Sequence, residues 1–113
     1  MQRDYRIYLE DILQAIDKIA RFTQKINFSS FLEDEKTFDA VVRNLEIIGE
    51  ATKKVPEKLR AQYPTVEWKK LSGLRDVLAH DYWGIDAEIV WDIAQNKLAE
   101  LKKEIRRVLE NIS

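Results

Sequence analysis

Leu74-Arg75-Asp76-Val77-Leu78-Ala79-His80-Asp81-Tyr82-Trp83-Gly84 contains the single histidine of a 113-residue chain, with an arginine, a tyrosine and two acids within six positions of it. At 100° per residue, Leu71, Leu74, Val77 and Leu78 fall on one arc of a helix and Ser72, Gly73, Arg75, Asp76, Ala79 and His80 on the other. The spacing therefore predicts a helix from about Glu67 to Asp81 with one face in a core and one face small and polar. Asp76 and His80 form an i, i+4 pair, close enough for the carboxylate to orient or charge the imidazole. Arg75 and Tyr82, seven apart, point the same way, whereas Arg75 and His80 lie about 140° apart on a regular helix.

Outward from this stretch the periodicity stays helical, with only three glycines and two prolines to interrupt it. Tyr5, Leu9, Ile12, Ile16, Ile19 and Ala20 predict an amphipathic helix from Asp4 to about Ile26. Phe28-Ser29-Ser30 reads as a break, with Ser30 and Glu33 spaced as a capping box that opens a second helix to about Lys54. That helix turns Phe38, Val41, Val42, Leu45, Ile48 and Ala51 to a core and Arg43, Glu46 and Glu50 to a charged face. Pro56 fits the first position of a short helix, with Leu59 and Tyr63 inward and Pro64 closing it. After Gly84, Asp86 is placed as a cap, and Ile85 and Val90 have the spacing of a hydrophobic staple. Ile89, Val90, Ile93, Leu98, Leu101, Ile105, Val108 and Ile112 then carry a long last helix. The expectation is an all-α antiparallel bundle of four to five helices, with residues 1–113 as a single domain.

Composition narrows the function. Hydrophobic residues make up 45% of the chain, enough for one core. With no cysteine and one histidine, a disulfide framework or a zinc site is not expected, and neither is a cofactor. No apolar run approaches the ~18 residues of a membrane span, and Met1 to Arg6 lacks an apolar signal region, so a cytoplasmic protein without membrane contact is expected. Nineteen basic against twenty acidic residues give a net charge of −1. Bulk electrostatics cannot hold nucleic acid on such a chain, and any RNA contact must be local.

The spelling R-x(4)-H-x-Y, at Arg75, His80 and Tyr82, resembles the signature of the HEPN superfamily and, within it, the HepT-type toxins. Arg43-Asn44-Leu45-Glu46-Ile47-Ile48-Gly49-Glu50-Ala51, Trp68-Lys69-Lys70-Leu71-Ser72-Gly73-Leu74-Arg75 and Gly84-Ile85-Asp86 are similar to that family's recurring blocks in the same order, so the likeness spans essentially the whole chain. The resemblance implies a HEPN-like helical bundle that dimerises about a two-fold axis with the motif helix at the interface. It also implies a toxin of a toxin–antitoxin pair: a metal-independent endoribonuclease in which the RNA 2′-hydroxyl attacks the adjacent phosphorus. Arg75 and His80 would be the catalytic residues. Tyr82 would be the position at which the cognate nucleotidyltransferase antitoxin attaches adenylate and silences the site.

Physical chemistry fits these roles. Arg75 offers a planar fork to a phosphodiester oxygen, with hydrogen bonds that strengthen as charge develops. Asp76, where the family often carries asparagine or another polar residue, would raise the histidine pKa through its charge. A single histidine cannot be both acid and base, but two copies facing each other across Ser72, Gly73 and Ala79 in a dimer can. The ordinary readings stand beside these: Arg75 as a surface ion-pair residue, His80 as a structural histidine, Trp83 as a core aromatic. Arg43, Glu46 and Glu50 form either a solvated helix face or supporting residues that buttress Arg75. The alternative function is a non-catalytic nucleotide-binding or adaptor subunit that partners a nucleotidyltransferase and uses the same Arg75 and His80 to hold phosphate.

Overall fold

A computed structural model describes residues 4–74 and 85–112. All regular structure among them is helical: α1 (Arg6–Thr23), α2 (Phe28–Glu33), α3 (Glu35–Lys54), α4 (Glu57–Gln62), α5 (Trp68–Ser72), α6 (Ala87–Asp92), a π turn (Ile93–Lys97) and α7 (Leu98–Ile112). The all-α class expected from the periodicity is what the chain adopts. No helix among the described residues is long and apolar enough to cross a membrane.

Three long helices make the bundle. Leu9, Ile12, Ala15, Ile16 and Ile19 recur at three and four along α1 and are buried, as are Val41, Val42, Leu45 and Ile48 on α3. The start of α1 (Tyr8) and the end of α3 (Ala51, Lys54) line one groove, so the two run antiparallel. α7 lies against α1 through Leu98, Leu101, Ile105 and Val108, and Lys102 reaches Asp17 at 2.7 Å. The buried polar side chains are satisfied one turn back in their own helices: Thr23 Oγ1 donates to Ile19 O at 2.9 Å, Asn44 Nδ2 to Ala40 O at 2.8 Å and Thr52 Oγ1 to Ile48 O at 2.7 Å.

Several boundaries differ from the sequence reading for identifiable reasons. Residues 28–30 do not break the chain but open α2, because the side chain of Asn27 caps it, accepting from the Ser30 N–H at 2.8 Å. Ser30 is therefore the third residue of a helix and not its cap. The cap of α3 is Asp34, which accepts from the Thr37 N–H at 3.0 Å and the Thr37 hydroxyl at 2.6 Å. The expected second helix is thus two, hinged at Asp34. α1 stops at Thr23, earlier than expected, because Lys25 takes a left-handed φ of 67°, and Ala20 is exposed. Pro56 precedes α4 as its cap residue rather than occupying the first helical position.

Asp86 caps α6 as expected, accepting from the Glu88 and Ile89 N–H groups. The π turn was not foreseen. Its cause is phase: Val90, Ala94 and Leu98 take two consecutive steps of four, each drifting about 40° around a regular helix. The wider turn absorbs the excess and brings the stripe of α6 back into line with that of α7. Asn96 Nδ2 donates to Asp92 Oδ1 at 2.7 Å across it.

Candidate functional site

The motif residues Arg75, Asp76, His80 and Tyr82 lie outside the described residues, as does the predicted continuation of the motif helix to Asp81. What the structure describes is the frame from which they are presented. α5, Gly73 and Leu74 lead directly into Arg75, and Ile85 and Asp86 follow directly after Gly84. α5 is fixed from two sides. Trp68 is buried and its Nε1 donates to Tyr63 O at 2.9 Å, while Leu74 is buried in the core.

Gly49 sets how closely α5 approaches α3. A Cβ at this position would stand 3.1 Å from the Leu71 carbonyl oxygen and 3.7 Å from Leu74 Cβ. The nearer neighbour is backbone and cannot rotate away, so Gly49→Ala must displace α5. Overpacking of this kind costs about 1–3 kcal/mol, against which alanine regains up to ~1 kcal/mol of helix propensity. We expect a net fall in the thermal midpoint of a few degrees; a rise would show that α5 yields without resistance.

Arg43, Glu46 and Glu50 are exposed and, with Tyr8 and Asp11 of α1, line an open groove of about 350 Å³. Lys53 Nζ pairs with Glu50 at 3.5 Å, with both side chains more than half exposed, so this contact adds little stability. The structure brings Arg43 and Glu46 together on an exposed face of α3. Glu46 is about 60° around the helix from Gly49, beside the α5 contact. Whether it meets Arg75 concerns a residue outside those described.

Two further grooves flank α5. One, of about 890 Å³, separates it from α4 and carries Glu57, Arg60, Glu67, Lys69 and Lys70, with Ser72 and Gly73 at its end. Lys70 pairs with Glu67 at 2.9 Å, and Arg60 Nε is buried without a hydrogen-bond partner among the described residues. The other, of about 550 Å³, lies between α5, the π turn and α7, and is lined by Leu71, Leu74, Ile93 and Leu98 with Glu67, Glu100 and Glu104 among its polar residues.

Glu104 was invisible to the sequence reading, because its burial and its approach to Thr65 and Glu67 come from the fold, and only Glu100, one turn back on α7, is local. Burial pushes its carboxyl above the ordinary carboxylate range and the charge of Glu100 pushes the same way; a hydrogen bond from Thr65 opposes them, and Glu67 adds a further upward push. A carboxyl with a raised folded-state pKa binds its proton more tightly in the folded chain. Its contribution is therefore present below the ordinary carboxylate range and lost as pH rises through the raised value. Glu104→Gln should be more stable than the parent at neutral pH, with the gain vanishing as pH falls below that range. Denaturant midpoints across pH test this, and a gain that persists in acid would remove the electrostatic explanation.

Comparison with known proteins places this frame. The family model for "Ribonuclease HepT-like" proteins matches residues 12–108. Among curated relatives, "Putative RNase MJ0127" of Methanocaldococcus jannaschii is 46% identical over 98% of this chain and 92% of its own length. "Probable ribonuclease HepT" of Thermococcus cleftensis is 40% identical over 96% of this chain and 98% of its own. "Putative RNase TTE0752" of Caldanaerobacter subterraneus is 38% identical over 93% and 94%. No solved structure gives a significant match. With a match that spans all but the ends of the chain and encloses the R-x(4)-H-x-Y stretch, the chain belongs to the ribonuclease HepT-like family of the HEPN superfamily.

Proposed function

We propose that this protein is a metal-independent endoribonuclease, the toxin of a toxin–antitoxin pair, acting in the cytoplasm as a two-fold dimer built on one HEPN domain. The observation that carries the reading is the family match over residues 12–108, within which Arg75, His80 and Tyr82 keep the R-x(4)-H-x-Y spacing. In the reaction the 2′-hydroxyl oxygen bonds to the adjacent phosphorus and gives its proton to one His80. The bond from phosphorus to the 5′-oxygen breaks, and the His80 of the other protomer protonates the leaving oxygen. Arg75 neutralises the charge that builds on the phosphoryl oxygens. The products are a 2′,3′-cyclic phosphate and a 5′-hydroxyl.

The proposed control is chemical. A cognate nucleotidyltransferase joins the adenylyl group of ATP to the Tyr82 hydroxyl and releases pyrophosphate. A phosphate fixed two residues from His80 recharges the place where the RNA phosphate must sit. The names of the relatives support ribonuclease chemistry, and the low histidine and cysteine content argues against a zinc site.

The test is incubation of the purified chain, confirmed by intact mass to carry no adduct, with a cellular RNA pool in excess chelator, followed by analysis of the fragment ends. Cyclic-phosphate and 5′-hydroxyl ends are expected. An adduct-free dimer that cleaves nothing would instead favour the adaptor reading, in which Arg75 and His80 only hold phosphate.

A further inference from the structure

The ends of α1, α3, α4 and α7 converge on a cleft of about 780 Å³ lined by Tyr5, Tyr8, Lys54, Pro56, Lys58, Leu59, Gln62, Asn111 and Ile112. The three grooves described above each carry at least two carboxylates, whereas this one carries none. Two lysines and no carboxylate in its lining make it a local cationic site on a chain whose net charge is −1, with Lys54 and Tyr8 forming the wall it shares with the groove of Asp11, Glu46 and Glu50. Lys54 and Lys58 are exposed, and no salt bridge among the described residues engages either. Lys54 Nζ instead lies 5.8 Å from the centre of the Tyr8 ring, a contact that holds the ammonium at the wall of the cleft. The nearby Asp4 carboxylate is taken up by Arg6 at 3.1 Å.

We propose that this cleft is a subsite for single-stranded RNA, in which Lys54 and Lys58 contact the phosphates of the substrate strand and the half-buried Tyr5 and Tyr8 offer their rings to unpaired bases. Stacking on aromatic faces combined with point charges for the backbone is how proteins hold single strands without reading sequence. The amides of Gln62 and Asn111 add donors and acceptors at the rim, and Leu59 and Ile112 supply the apolar floor. Lys54 stands five residues beyond Gly49 on α3, about 7.5 Å along the axis. α5, which packs against Gly49 and leads into Arg75, and this cleft thus border neighbouring turns of the same helix. The inference rests on the ribonuclease reading for its substrate and adds to it a place, built from none of the motif residues, where that substrate is gripped.

The experiment separates gripping from cutting. In a His80→Ala background, binding of a fluorescent single-stranded oligoribonucleotide is measured against salt for the dimer with and without Lys54→Ala/Lys58→Ala. Loss of two phosphate contacts should weaken binding about tenfold or more and flatten the slope of log K against log salt by roughly 1.4. Tyr5→Leu should weaken binding without changing that slope. With His80 restored, the double variant should raise KM on long RNA and leave cleavage of a dinucleotide unchanged.

Unchanged affinity and slope would overturn the subsite while leaving any cleavage, and thus the ribonuclease reading, intact. Loss of RNA binding by the double variant in a protein that cleaves nothing would keep the subsite and discard the ribonuclease. Equal losses on single- and double-stranded RNA would mean a general polyanion patch and would also overturn the proposal. All the replaced lysines are exposed, so helical circular dichroism should match the parent.

Discussion

His80→Ala should slow RNA cleavage about 10²–10⁴-fold relative to the parent, the range typical for loss of a positioned acid or base. The effect is at the upper end if both proton transfers depend on this residue, since the chain has no second histidine to take over. Arg75→Lys should fall nearly as far as Arg75→Ala. Lysine keeps the charge but lacks the planar fork that meets two phosphoryl oxygens at once. Dimers mixed from one parent and one His80→Ala subunit decide between a shared and a private site. If acid and base come from different protomers, the heterodimer should lose most activity. Full per-site activity in isolated heterodimers would end the shared-cleft mechanism, though not the nuclease. These measurements bear on residues that the sequence alone singled out.

The sequence was legible wherever one local physical rule decided the outcome. The apolar stripes of α1, α3 and α7 follow the helical period closely, and the residues expected inward, from Leu9 to Val108, are largely those that are buried. Asp86 was readable as a cap because an acid before an apolar-periodic run has few other local uses. Ser30 was misplaced because two caps competed within a few residues. Asn27 reached its N–H targets first and made helix out of the expected break. The π turn left only a faint trace, two successive steps of four, which reads as a regular helix unless the phase is followed.

The candidate site divides along the same line. Arg75, His80 and Tyr82 carry a motif, so spelling alone brought them forward. Gly49 was one letter of a block similar to the family's until the 3.1 Å approach of a Cβ there to the Leu71 carbonyl gave it a task. Glu104, Lys54 and Lys58 carry no motif at all. Their properties arise largely from segments brought together by the fold, Glu104 from burial and from Thr65 and Glu67, with Glu100 one turn back on its own helix, and the lysines from Tyr5 and Tyr8. Convergence of this kind is absent from any single stretch of the chain.

Phe31→Ala should produce the largest loss of stability available from one side chain of α2. Phe31 is fully buried, its ring centroid 4.9 Å from that of Trp91 on α6 and 5.5 Å from that of Phe38 on α3, while Phe28 adds a second contact to Trp91 at 6.0 Å. Tilted aromatic pairs at these distances stabilise beyond the area they bury. Truncation at such a site costs about 3–5 kcal/mol, which for a domain of this size lowers the thermal midpoint by roughly 10–20 °C. Phe31→Leu fills most of the space and should lose less than half as much, which distinguishes the cavity from the mere loss of an aromatic ring. The consequence reaches function because Trp91 belongs to α6, the element that receives the chain after Gly84. With Phe31 gone, Trp91 of α6 loses the nearer of its two ring contacts with α2, and its fluorescence should shift toward that of a wetter indole. Cleavage should then decline at temperatures well below the new midpoint. A midpoint shift under about 4 °C would mean that α2 closes over the bundle without holding it together, and that α6 is anchored by Val90 and the cap at Asp86 instead.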